Sequence, residues 1–249
     1  MKRLLAVLVV SAATAASTAH AQTPTAEQLL DAMDRNMTFE SRSSRIVMTV
    51  EGRRTRSYEI VSYGRGEEDA AMEFLSPPRE KGTRMLKLGG ELWIYLPAVD
   101  RVQKISGHML RQGMMGSDVS YEDMMASREL RRLYRATVAG ADRVEGRACW
   151  KLELAAVDAT VSYPRRVTWV DQQTYLPLRQ ELYALSGMLL KTWTMSDPKE
   201  YEGGRIYPSR MVVQDQVKKD SVTRIEFKEL KFGLSLENEV FSLRWLERK

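Results

Sequence analysis

The chain has 249 residues, 38 Lys and Arg against 33 Asp and Glu, and a formal net charge of +5. The basic residues are scattered among carboxylates, and the densest clusters, Arg53-Arg54 with Arg56 and Arg131-Arg132 with Arg135, are short, so nucleic acid is not an expected partner. The single cysteine, Cys149, excludes an intrachain disulfide and leaves stability to a hydrophobic core, which a chain of this length can bury.

Lys2 and Arg3 precede an apolar run from Leu4 to Ala13, and a small-residue stretch ends in Ala19-His20-Ala21. This pattern reads as a secretory signal peptide over residues 1–21, with Gln22 as the first mature residue and no cysteine placed for a lipid anchor. Taking Lys2 and Arg3 away lowers the formal net charge from +5 to +3. An exported, soluble, periplasmic protein is expected, with residues 22–249 forming one domain.

A helix of about three turns is predicted over Thr25 to Met37, with Thr25 as its cap and Leu29, Leu30, Met33 and Met37 on one face. The period then changes to two. Ile46, Met48 and Val50 alternate with Arg45, Val47 and Thr49, and Ala70, Met72 and Phe74 alternate with Asp69, Ala71 and Glu73. The pattern recurs through Ala148, Trp150, Leu152 and Leu154, through Val167 and Trp169, through Leu178, Leu182 and Ala184, and through Ile225 and Phe227. At least eight strands separated by turns at Gly64-Arg65-Gly66, Pro77-Pro78, Gly89-Gly90, Gly140, Glu145-Gly146, Ser186-Gly187 and Gly203-Gly204 argue for a mainly β chain with one large antiparallel sheet. Leu92-Trp93-Ile94-Tyr95-Leu96 is apolar on both faces, so both sides of that strand need a cover.

Ser106 to Met125 holds five methionines, three carboxylates and His108, punctuated by Gly107, Gly113 and Gly116. It is either a catalytic loop around His108 or a deformable apolar lid. Ser106, Ser117, Asp118 and Asp123 supply a nominal nucleophile and acid, but no G-x-S-x-G elbow surrounds either serine. One mature histidine without an H-x-x-x-H or C-x-x-C partner gives no metal-binding pattern, and no phosphate-cradling glycine loop occurs, so neither metal nor cofactor is expected. The lid reading has Ser117 or Asp118 starting a short helix that gathers Tyr121, Met124 and Met125 on one side, behind a loop carrying Met109, Leu110, Met114 and Met115. His108 is then expected to serve as a structural hydrogen-bonding residue.

Several blocks carry a family resemblance: Thr38-Phe39-Glu40-Ser41-Arg42, Phe74-Leu75-Ser76-Pro77-Pro78, Lys81 to Leu86, Leu92 to Pro97, Ser106 to Gln112, and Gly116-Ser117-Asp118 with Ser120 to Met124. Tyr163 to Arg166, Trp169-Val170-Asp171, Pro177-Leu178 and Gly187 to Lys191 extend it over nearly the whole mature chain. On these residues the chain resembles the outer-membrane lipoprotein-sorting protein family, a branch of the LolA/LolB-like periplasmic carriers. The resemblance implies an incompletely closed antiparallel β-barrel covered by helices. It also implies a carrier, not an enzyme, that binds the acyl chains of a lipid or lipoprotein and moves them from an inner-membrane transporter to an outer-membrane acceptor. Ile46, Met48, Met72, Phe74, Trp93, Tyr95 and Trp150 are the candidate groove residues, with Leu92, Ile94 and Leu96 as the alternative face of their strand. Met109, Leu110, Met114, Met115, Tyr121, Met124 and Met125 are the candidate lid. An envelope regulatory or structural binding protein is the related alternative, and a hydrolase using His108 the distant one.

Overall fold

The computed structural model describes residues 23–126, 130–158, 161–218 and 220–248, so the signal peptide expected over residues 1–21 lies outside the described residues. The first element, α1 (Ala26–Met37), begins where the sequence places it. Thr25 Oγ1 accepts the Gln28 amide at 3.2 Å, and the Gln28 side chain accepts the Thr25 amide at 2.9 Å. This reciprocal pair satisfies two otherwise orphaned donors, and the apolar stripe then buries Leu29, Leu30 and Met33 against the sheet.

Six strands follow as a meander: β1 (Ser41–Glu51), β2 (Arg56–Arg65), β3 (Asp69–Ser76), β4 (Arg84–Leu88), β5 (Glu91–Leu96) and β6 (Arg101–Ile105). A crossover over residues 106–133 contains α2 (Tyr121–Met125) and α3 (Leu130–Leu133). A second meander then runs through β7 (Tyr134–Val144), β8 (Arg147–Ala156), β9 (Arg165–Asp171), β10 (Pro177–Tyr183), β11 (Leu189–Tyr201), β12 (Arg205–Asp215) and β13 (Val222–Phe232), and the described chain finishes with α4 (Leu243–Leu246). The meanders join where β1 pairs antiparallel with β13, giving one thirteen-stranded sheet ordered β6-β5-β4-β3-β2-β1-β13-β12-β11-β10-β9-β8-β7. Strands β6 and β7 stand at its two ends, so the barrel is incompletely closed.

Two turn expectations are revised. Gly140 lies inside β7, at φ +135° beside a register shift between Val138 and Gly140, and so marks a bulge instead of a chain reversal. Gly64 lies inside β2, where a Cβ would come within 3.0 Å of the Phe39 ring; the missing side chain leaves room for that ring.

The outer face of β3 to β5 is covered by the C-terminal segment. Ala71, Leu86 and Tyr95 pack with Phe241, Trp245 and Leu246, and Trp93 joins them. Arg84 fastens this cover by donating to the Trp245 and Leu246 carbonyls, each at 3.3 Å, and to the Arg248 carbonyl. Trp93 and Tyr95 therefore belong to the outer layer and not to a groove. Side chains alternate along a strand, so Leu92 and Ile94, with Leu96 packed beside them, are the residues β5 presents inward.

Candidate binding cavity

The crossover lies on the inner face of the first meander, apolar side down. Met114 and Tyr121 are buried, and Met109, Leu110, Met115, Met124 and Met125 pack around them against Met48, Tyr58, Phe74, Met85 and Ile94. Ile46 and Met72 border the same cluster. The predicted lid and four of the predicted groove residues are thus in one packed core, which the crossover fills. Trp150, the remaining groove candidate, packs instead with Leu29, Leu30 and Met33 under α1.

A space with a largely apolar wall lies in the other half. A cavity of about 200 Å³ lies between α1, the α2–α3 region and strands β9 to β12. Its apolar wall includes Met33, Met37, Leu182, Trp193, Met195 and Met211, and its polar wall Asp34, Asp123, Tyr163, Arg166 and Gln180. None of the seven predicted groove residues lines it. The sequence places Met33 and Met37 on one apolar face of α1 and Leu182 in a strand. The alternation of Trp193 with Met195 was an available signal for β11.

Two polar anchors hold the crossover over this space. The first is Asp118, 1 % exposed, whose Oδ2 accepts from the Thr223 hydroxyl at 2.6 Å and the Ser221 hydroxyl at 3.0 Å. Its own amide donates to Thr223 Oγ1 at 2.8 Å. Ser117 or Asp118 was expected to start the short helix; neither does, and Asp118 fastens the crossover to β12 and β13. The cap of α2 is Ser120, whose hydroxyl accepts the Asp123 amide while Asp123 Oδ2 accepts the Ser120 amide at 2.7 Å.

Asp123 is also the centre of the second anchor. Its carboxylate forms an ion pair with Lys191 of β11, both side chains being about 5 % exposed, and its Oδ1 accepts the Tyr163 hydroxyl at 2.6 Å. Burial, followed by the neighbouring Asp123 charge, pushes the Tyr163 phenol far above its usual range, so it remains a donor to that carboxylate. A charge pair removed from water needs its other hydrogen-bonding positions filled, and Ser120 and Tyr163 fill those of Asp123.

The glycines shape the path for different reasons. Gly107 and Gly116 have positive φ, +58° and +73°. Gly113 does not, but residues 113 and 120 close a tight turn in which a Cβ on Gly113 would stand 2.0 Å from the Ser117 carbonyl oxygen.

His108 is exposed on the 3-10 turn Gly107–Arg111 and makes no hydrogen bond among the described residues, contrary to the structural role expected of it. Ser117 bonds with Val119 and Lys218, Asp118 with Ser221, Thr223 and the Asp215 amide, and Asp123 with Ser120, Tyr163 and Lys191, so none of them joins His108 in a triad. Among the described residues no group of three His, Cys, Asp or Glu could hold a metal ion, and no helix is long and apolar enough to cross a membrane.

Asp34, on α1, is the strained member of the cavity wall. Its Oδ1 is buried without a hydrogen-bond partner, and its Oδ2 receives the Arg131 amide at a distant 3.5 Å. Burial raises its carboxyl from 3.8 to about 6. A carboxyl whose folded pKa is raised stabilises the fold below its unfolded value, and that contribution is lost as the pH climbs through about 6. Asp34→Asn is therefore expected to raise the melting temperature by about 2–4 °C at pH 7.5, equivalent to ~1 kcal/mol. Near pH 4 the variant and the parent should melt together; thermal melts at the two pH values check this.

Residues 66–248 match a protein family whose description reads only as an uncharacterized protein. No curated protein matches the chain. Among solved structures, the chain is similar to a DUF1329 family protein from Desulfovibrio piger, with 26% identity, a TM-score of 0.79, and coverage of 88% of this chain and 96% of that one. It is also similar to a structure from Vibrio parahaemolyticus provisionally described as an outer membrane lipoprotein-sorting protein domain, with 24% identity, a TM-score of 0.76 and the same two coverages. A LolA superfamily protein from Nitrosomonas europaea is 22% identical with a TM-score of 0.73, over 90% of this chain and 100% of that one.

Proposed function

The chain belongs to the family matched over residues 66–248 and has the LolA-like fold, and from that premise we propose that it is a non-enzymatic periplasmic carrier of acyl chains. The observation that carries the reading is the cavity of about 200 Å³, walled by Met33, Met37, Trp193, Met195 and Met211 beneath a crossover fastened by buried polar contacts. Each methylene withheld from water is worth ~0.8 kcal/mol, so an acyl chain crossing an aqueous space needs such a covered apolar wall. Methionine suits a wall that must fit chains of differing shape, because its unbranched side chain adapts to irregular surfaces.

In this reading the sequence's leader delivers the chain to the periplasm. There it takes a lipid or lipoprotein from an inner-membrane transporter and releases it to an outer-membrane acceptor. The anchors at Asp118 and Asp123 hold the loaded state closed, and their release opens it. Native purification followed by organic extraction and mass spectrometry tests the proposal. Lipid carrying acyl chains should copurify in near-stoichiometric amount, and protein that neither yields such lipid nor takes it up from added vesicles would overturn the carrier reading.

A further inference from the structure

Arg166 stands on β9 in the cavity wall and is 8 % exposed. Its Nε donates to the Tyr134 hydroxyl at 2.7 Å, and that hydroxyl donates in turn to the Tyr163 carbonyl at 3.0 Å. The guanidinium carbon lies 4.9 Å from the centre of the Tyr134 ring and 5.6 Å from that of Tyr163. A guanidinium has five N–H donors in a fixed fork, and this arrangement uses one of them. It also sets the guanidinium carbon over both aromatic rings.

No carboxylate among the described residues pairs with this cation. Of the two on the cavity wall, Asp123 is occupied by Lys191, Tyr163 and Ser120. Asp34, on α1, receives the Arg131 amide at 3.5 Å and forms no hydrogen bond or ion pair with Arg166. The neighbouring Arg165 takes Glu153, at 3.6 Å. Burying a charge without a counter-charge is costly. Here the open N–H groups border a space otherwise walled largely by Met, Trp and Leu, and a planar fork of this kind matches the two oxygens of a carboxylate or phosphate.

We propose that Arg166 is the head-group receptor of the cavity, binding the carboxylate or phosphate-monoester head of an amphiphile whose apolar chain lies along Trp193, Met195 and Met211. Tyr134 and Tyr163 position the guanidinium for this role. The inference rests on the carrier reading of the same cavity and adds to it a selectivity: an anionic amphiphile binds in preference to a neutral one of equal chain length.

The test is displacement of the neutral fluorophore N-phenyl-1-naphthylamine at pH 8 by dodecanoate, dodecyl phosphate, methyl dodecanoate and dodecanol. The wild-type protein should release the fluorophore to at least one anion at a concentration about tenfold or more below that required for methyl dodecanoate. Comparing the two anions tells a carboxylate head from a phosphate head. Arg166→Gln should abolish that advantage, bringing the concentrations required of the two anions to within about twofold of that of methyl dodecanoate. Arg166→Lys, which keeps the charge but not the fork, should retain part of it. Circular dichroism and melting curves establish that the variants fold, and the wild-type comparison of acid with ester stands without them. Displacement by dodecanol with no preference for either anion, or an anion preference that survives in folded Arg166→Gln, would overturn the assignment and leave the carrier reading intact. Failure of all four amphiphiles and of the fluorophore to bind would remove both.

Discussion

Lys191→Met is expected to lower folding stability by ~3–5 kcal/mol, because it strands the Asp123 carboxylate at a site where both partners are about 5 % exposed. Removing one member of a buried pair costs far more than removing both, since the survivor keeps its desolvation penalty without its counter-charge. The double variant Asp123→Asn with Lys191→Met should therefore recover most of the loss, and a urea-denaturation cycle of the two single variants and the double reads this directly. Tyr163 and Ser120 still surround position 123 in the double variant and can hydrogen-bond to an amide. A Lys191→Met protein as stable as its parent would show that this pair does not hold the crossover.

Gly113→Ala is expected to cost about 3 kcal/mol, at the upper end for overpacking, because the added methyl would stand 2.0 Å from the backbone oxygen of Ser117 and not from a yielding side chain. Relief requires the turn over residues 113–120 to open. Two amides report that opening by hydrogen exchange: Met114, which donates to the Val119 carbonyl at 2.8 Å, and Asp118, which donates to Thr223. Both should lose protection. Gly107→Ala is the control: it meets only the backbone cost of its positive φ, nothing standing within 4 Å of its Cβ, and should lose about 1 kcal/mol with those amides still protected.

What could be read in the sequence follows how local each feature is. The α1 boundary was legible because its cap, capping partner and apolar stripe lie within a dozen residues. Strands such as β1 and β3 declared themselves by alternation, whereas β2 did not. Its inward row mixes Tyr58 and Ile60 with Ser62 and Gly64, of which Ser62 is hydrogen-bonded to Ser44 at 2.9 Å and Gly64 makes way for Phe39. The inward face of β5 was undecidable from its own residues, since it is covered on one side by the crossover and on the other by a segment some 150 positions later. The location of the cavity was the least legible feature. Both halves of the sheet offer apolar inward rows, and the packing of the crossover fills the row of the first half. Asp118 likewise read as a helix cap because its true partner, Thr223, is 105 residues away.

The topology bears on how such a cavity can open. A flap attached at one end swings, but the crossover leaves one unpaired edge of the sheet at β6 and re-enters at the other, β7. It is a strap across a split cylinder whose seam, the β1 and β13 ladder, lies far around the wall. Its contour length is constant, so spreading the two edges draws on whatever slack the strap holds. On the carrier reading proposed above, a guest that spreads the two edges would also have to unpin the strap at Asp118 and Asp123.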